Sequence, residues 1–150
     1  MQRIINNVLE REMRYDETIV LKYHIEYPTI VSNSYIPGVK SFNEYNENLA
    51  FRLKKRSESQ LYNEAVELYK YNKSNGYPNM IYEIYRNYEI TLNADNIISL
   101  YIDEYIFSGG AHGNTVRTSQ NWELYYNQII HLEDIYKYNP YFVINILKSI

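Results

Sequence analysis

The stretch SLYIDEYIFSGGAHGN, residues 99–114, decides how the chain is read. Around it the even positions Ile98, Leu100, Ile102 and Ile106 are aliphatic, and the odd positions Tyr101, Tyr105 and Phe107 are aromatic. A period of two is a strand, and a strand apolar on both sides is a central one. The stretch then places three of the chain's five glycines, with a histidine, in the turn Ser108–Gly113. Beyond it Val116, Thr118, Gln120, Trp122 and Leu124 alternate with Thr115, Arg117, Ser119, Asn121 and Glu123, which is a second strand. The glycine run therefore joins strand to strand.

Working upstream, Asn93-Ala94-Asp95-Asn96 reads as a short hairpin connection to a strand carrying Met80, Tyr82, Ile84, Tyr88, Ile90 and Leu92 on one face. Before that strand, Ser74-Asn75-Gly76 and Pro78 stop a long helix. Ser41 and Glu44 form a capping box at its start, and it runs to about Asn72. Phe42, Tyr45, Leu49, Leu53, Leu61, Ala65 and Leu68 make its apolar stripe, which skips at Ser57. Pro37-Gly38 reads as a turn in the preceding loop. Residues Ile19–Tyr27 alternate as a strand that Pro28 ends or marks as an edge. In residues 4–13, Ile4, Ile5, Val8 and Leu9 fit helical spacing, but the segment is short and uncapped. Downstream, Asn127-Gln128 turns the chain into a short segment over Ile129–Leu132. Asn139 and Pro140 then open a helix carrying Val143, Ile146, Leu147 and Ile150. This order predicts an α+β fold: an antiparallel sheet with one long helix packed across it and a short C-terminal helix.

Composition bounds the function. The chain has 150 residues, a net charge of −3 and no basic run longer than Lys54-Lys55-Arg56, which argues against a nucleic-acid partner. With no cysteine, disulfides, thiolate catalysis and Cys-ligated metals are excluded. No apolar run is long enough to span a membrane, and the N-terminus lacks a hydrophobic secretion core. The 19 tyrosines fit an AT-rich coding bias and strands wet on one face, so they are not read as a ligand signal.

The glycine turn admits several chemistries. A phosphate cradle needs a helix after the loop, and here a strand follows. A metal centre needs further ligands, but His24 and His131 show no partner spacing. Ser108 with His112 as its base would be a nucleophile, but four-residue spacing in a glycine turn does not fix their geometry and no orienting acid is named. The reading that asks least is a bend with one or more residues at positive φ, with His112 a structural or contact residue. No catalytic residue, metal ligand or cofactor is assigned. Tyr105, Ser108, Gly109, Gly110, His112 and Gly113 are the candidate binding residues.

YIDEYIFSGGAHGNTVRTSQNWEL followed by IIHLEDIYK resembles the Y-x-Y-x-x-G-G-A-H-G pattern of the PdaC/RsiV-like bacterial extracytoplasmic domain pair. Gly109, Gly110, Ala111, His112, Gly113, Leu132, Asp134 and Ile135 match it, Tyr101 and Tyr105 are the tyrosines taken with it although they are spaced differently from the glycines, and Tyr136 stands where Phe is commoner. HIEYPTI and FNEYNENLAFRL resemble the family's Pro-containing strand end and the start of its long helix.

The resemblance implies an N-terminal lobe over residues 1–92 and the start of the glycine-loop lobe over 93–150, the two separate or forming one compact unit. Members lie beside a peptidoglycan deacetylase domain or form the outer part of lysozyme-sensing anti-sigma factors. It therefore implies a non-enzymatic binding or sensor module of the cell envelope, with a wall glycan or a lytic protein such as lysozyme as ligand. The alternatives are an accessory structural domain and a hydrolase using His112. The family's second domain continues further than this chain and its secretion segment is missing here, so the expectation is a fragment or a shortened member. The location implied is extracytoplasmic; a native Met1 start would instead make it cytoplasmic.

Overall fold

The structure is a computed structural model that describes residues 1–135 and Tyr141. Six strands form one sheet in sequence order: β1 (Arg3–Tyr15), β2 (Thr18–Val31), β3 (Tyr82–Ala94), β4 (Ile97–Phe107), β5 (Asn114–Glu123) and β6 (Gln128–Ile129). Helices α1 (Pro37–Arg56) and α2 (Tyr62–Asn75) connect β2 to β3, and α3 (Leu132–Ile135) follows β6. The fold is α+β with the long helix over one face. Every pairing is antiparallel except that of β2 with β3. β4 lies between β3 and β5, as its two apolar faces predict. The helix predicted over 139–150 lies outside the described residues.

Residues 4–13 are a strand, not a helix. Asp16 (φ 49°) and Glu17 (φ 62°) form a two-residue turn whose handedness matches strand twist, and β1 pairs with β2 from Arg3↔Val31 to Tyr15↔Thr18. The pairing overrides the helical spacing of a segment too short to be stable alone. Asp95 (φ 50°) and Asn96 (φ 63°) make the same turn between β3 and β4.

Pro28 does not end β2, which runs on to Val31. Ile30 exchanges two hydrogen bonds with the Asn43 side chain, its N–H donating at 2.7 Å and its carbonyl accepting at 3.0 Å, so its backbone points away from β1. Pro28 shares that side, and β3 has already diverged after the pair Ile25↔Arg86. No ladder bond is lost to the missing N–H.

The helix starts at Pro37, four residues before the predicted capping box, and Ser41 and Glu44 lie inside it. Pro37-Gly38 is its first turn rather than a loop. The Gly38 N–H donates to the Leu124 carbonyl at 2.8 Å, and a Cβ at Gly38 would lie 2.6 Å from that oxygen. Where the apolar stripe skips, Ser57–Leu61 form a π-helical turn, and α1 passes into α2 with helical dihedrals on both sides. Ser57 is buried there and its hydroxyl donates to the Leu53 carbonyl at 2.9 Å. The extra residue restores the phase, so that Leu53 and Leu61 both face the sheet. Ala65 is buried with them, Leu49 and Leu68 are half-buried, and Tyr45 is exposed. Gly76 (φ 71°) closes α2 in the left-handed conformation.

Two apolar clusters lie under the helix. Leu21, Tyr23, Ile25 and Ile84 pack against Ala50, Leu53, Leu61 and Ala65. Ile98, Leu100, Ile102, Trp122 and Leu124 pack against Phe42 and Ile30. A buried polar chain ties α1 to β5: Trp122 Nε1 donates to Gln120, Gln120 Nε2 to Asn46, and Asn46 Nδ2 to the Phe42 carbonyl. Leu53 is 5% exposed, so Leu53→Ala should lower the unfolding free energy by about 2–5 kcal/mol in denaturant titration. A loss near that of an exposed substitution would mean that the helix does not press on the sheet.

Candidate recognition site

The glycine loop begins where β4 ends, and its backbone has to serve both faces of the sheet. Gly109 (φ 84°) and Gly110 (φ 111°) are in the positive-φ region where a Cβ is strained. Gly109 turns towards the helix side. A Cβ there would lie 2.7 Å from Leu68 Cδ2, with Met80 and Tyr82 beyond. Gly113 has ordinary φ but lies on the opposite side, and a Cβ would fall 2.4 Å from the Tyr105 ring. The loop thus wraps the end of the sheet, held by α2 on one side and by Tyr105 on the other. Gly110 has open space around it and answers only to its dihedral.

Of the residues singled out from sequence, Tyr105 and Gly113 meet and Gly109 turns inward. Ser108, Gly110 and His112 are exposed. The one hydrogen bond of His112 is a long contact of Nδ1 with the Gly113 carbonyl, 3.4 Å. Ser108 and His112 share no hydrogen bond. Among the described residues no group of three or more His, Asp or Glu side chains could hold a metal.

Tyr105 leads to the face of the sheet opposite the helix, which no described element covers. The strand registers put Tyr85 opposite Tyr105, His24 opposite Glu10, Lys22 opposite Glu83 and Asp103 opposite Arg117. The Tyr85 and Tyr105 rings stand 6.2 Å apart. Arg117 holds Asp103 by two bonds of 2.7 Å and stacks over the Tyr101 ring at 4.0 Å, while the Tyr101 hydroxyl donates to Glu89. The bidentate pair pushes the Asp103 carboxyl below its usual range and the Arg117 guanidinium above its own. His24 is clasped by Glu26 and Glu10, 3.0 Å to each. The Glu26 bond is the main reason its pKa is raised, with burial opposing and Glu10 adding. Glu10, Glu12, Lys22, His24 and Tyr85 border a depression of about 530 Å³. The sequence reading missed this face. The alternation in β2 puts His24 with Lys22 and Glu26 on its polar side, but Glu10 joins them only once β1 is known to be a strand.

Two outcomes follow from this geometry. Gly109→Ala and Gly110→Ala should each cost on the order of 1 kcal/mol from the dihedral alone, and Gly109→Ala more, because Leu68 must also move. Equal effects in paired melts would show that Leu68 yields freely. The His24 pKa is raised on folding, so its contribution is complete below about pH 6.5, the unfolded value, and is lost as pH rises through the folded value. The melting-temperature gap between the protein and His24→Gln should narrow across that window. A gap independent of pH would rule out the clasp.

Comparison with known proteins agrees with this architecture. The chain matches a DUF3298 family member from Bacteroides fragilis NCTC 9343 with a TM-score of 0.68 at 17% identity, covering 89% of this chain and 60% of that one. It matches a DUF3298 family protein from Pseudomonas aeruginosa PAO1 with a TM-score of 0.52 at 16% identity, covering 88% and 57%. At these identities the likeness is one of fold, and the chain spans less than two thirds of either protein. No curated protein matches it. The family described as deacetylase PdaC matches residues 15–115, which take in the long helix, β2 to β4 and the whole glycine loop. The chain therefore belongs to the PdaC family.

Proposed function

We propose that this chain is a non-catalytic recognition module of a bacterial cell-envelope protein, and that it binds a basic protein ligand on the uncovered face of its sheet. The observation that carries the reading is the charge of that face. The registers place Glu10, Glu12, Glu26, Glu83, Glu89 and Asp103 on it, against Lys22, Arg117, a clasped His24 and Arg14, which bridges to Glu12 at 3.6 Å. Carboxylates outnumber cations in a field interleaved with Tyr85, Tyr101 and Tyr105. Acidic fields of this kind speed encounter with basic partners, and aromatic rings supply the area that holds them. His112 supports the non-catalytic part of the reading. A general base needs a second group to orient it, and its neighbour is a backbone carbonyl. The envelope setting rests on family membership and on the resemblance to lysozyme-sensing anti-sigma factors.

Lysozyme, a basic wall-lytic protein, is the probe. Calorimetric titration should give a complex that persists at physiological salt, where exposed charges are screened within about 8 Å. Such a complex should bury at least roughly 1,000 Å². Glu12→Gln, on an exposed edge strand and outside the His24 clasp, should weaken it with the melting temperature little changed, because its one ion pair is a surface one. Binding that vanishes as salt rises, or no heat at all, would remove a basic protein as the ligand and leave an accessory structural role.

A further inference from the structure

We propose that the free edge of β5 is a self-association surface, on which two copies of this chain pair antiparallel about a two-fold axis centred at Val116. This inference is independent of the recognition reading, because it concerns the edge of the sheet and not its face.

The edge is defined by one hydrogen bond. The Ile130 N–H donates to the Asn121 carbonyl at 2.7 Å, so the backbone of Asn121 points outward, away from β4. In a strand the outward groups recur every second residue. Thr115, Arg117 and Ser119 therefore present their N–H and C=O groups outward, and among the described residues no strand pairs with them. β6 takes up this edge only at Trp122 and Glu123, and the chain then leaves as His131 caps α3 through Asp134. Asn114–Ser119 is exposed on both faces, and Val116 is 53% exposed.

Free edges are normally guarded by charge, proline or a bulge. β1, the other edge, carries Glu10, Arg11, Glu12 and Arg14 and a bulge at Met13/Arg14. β5 carries only Arg117 over this span, and that side chain is drawn back over the sheet onto Asp103 and Tyr101. Thr115, Val116 and Thr118 are β-branched, as a pairing strand prefers.

The geometry also selects the occupant and its register. A second copy centred at Thr118 would bring Thr115 against the position that Ile130 already fills beside Asn121. Centring at Arg117 would set two arginines directly opposite, which is unfavourable. Centring at Val116 avoids both. Thr115 and Arg117 of one copy exchange backbone bonds with Arg117 and Thr115 of the other. Val116 meets its own counterpart in a pair not bonded through the backbone, where side chains approach most closely.

Cysteine cross-linking tests this on the whole chain, which has no native cysteine. Under oxidation Val116→Cys should form a disulfide-linked dimer at least roughly tenfold faster than Thr118→Cys, because only the central pair brings Cβ atoms near the ~3.5–4.5 Å that a disulfide requires. Sedimentation of the unmodified protein should show a concentration-dependent dimer. Thr115→Pro should abolish the dimer with its thermal melt retained, since the N–H it removes is unpaired in the monomer. Equal cross-linking rates at the two positions, or a monomer at every concentration, would overturn the proposal.

Discussion

The contact of Gly38 with the backbone of Leu124 is the constraint on which the rest of the structure depends. It brings the first turn of α1 within hydrogen-bonding distance of the chain just beyond β5, a position 86 residues away in sequence. Any side chain at Gly38 would hold the helix off. From this anchor α1 lies across both apolar clusters. Asn43 reaches the free backbone of Ile30, Asn46 joins the polar chain from Trp122, and Leu53 enters the cluster of Leu21, Tyr23, Ile25 and Ile84. The π-helical turn then keeps α2 on the sheet rather than letting its stripe rotate away.

With one face sealed in this way, the recognition proposed above falls to the other face and to the loop at its end. The glycine loop connects the two. Gly109 rests against Leu68 of α2, and Gly113 rests against Tyr105 of the open face. The loop clamps the sheet's end and carries His112 at its exposed tip.

The sequence made some of this legible and hid the rest for identifiable reasons. β4 was plain because aliphatic residues at Ile98, Leu100, Ile102 and Ile106 alternate with aromatic ones at Tyr101, Tyr105 and Phe107, and α1–α2 was plain because no Pro or Gly interrupts residues 39–75. Even the skipped stripe at Ser57 marked a real irregularity. β1 was hidden because Ile4, Ile5, Val8 and Leu9 fall on both of its faces, and because the Asp16-Glu17 turn lacks the glycine or asparagine that usually marks one. The helix start was displaced because Ser41 and Glu44 have capping spacing but do no capping, while Pro37-Gly38 imitates a turn. In the site, the glycines were legible as demanding positions. Which atoms make the demand was not, since Leu68 and Tyr105 approach only in the folded chain. The clasp of His24 needed the β1 pairing and was out of reach for the same reason.

The single parallel pairing has a consequence for how the molecule is assembled. β1 with β2, and β3 with β4 and β5, are hairpins whose strands meet across short turns, so each can form early at small entropic cost. The two halves join in the sheet through Leu21–Ile25 against Tyr82–Arg86, and the chain between those segments contains the whole long helix. Closing that junction brings together strands separated by the whole helical segment. It is the most non-local pairing in the sheet, the kind of contact that slows folding. A chain stalled before it would expose β2 and β3 as two unpaired edges, both rich in tyrosine and isoleucine, so the same five-residue junction that completes the fold is where aggregation would begin.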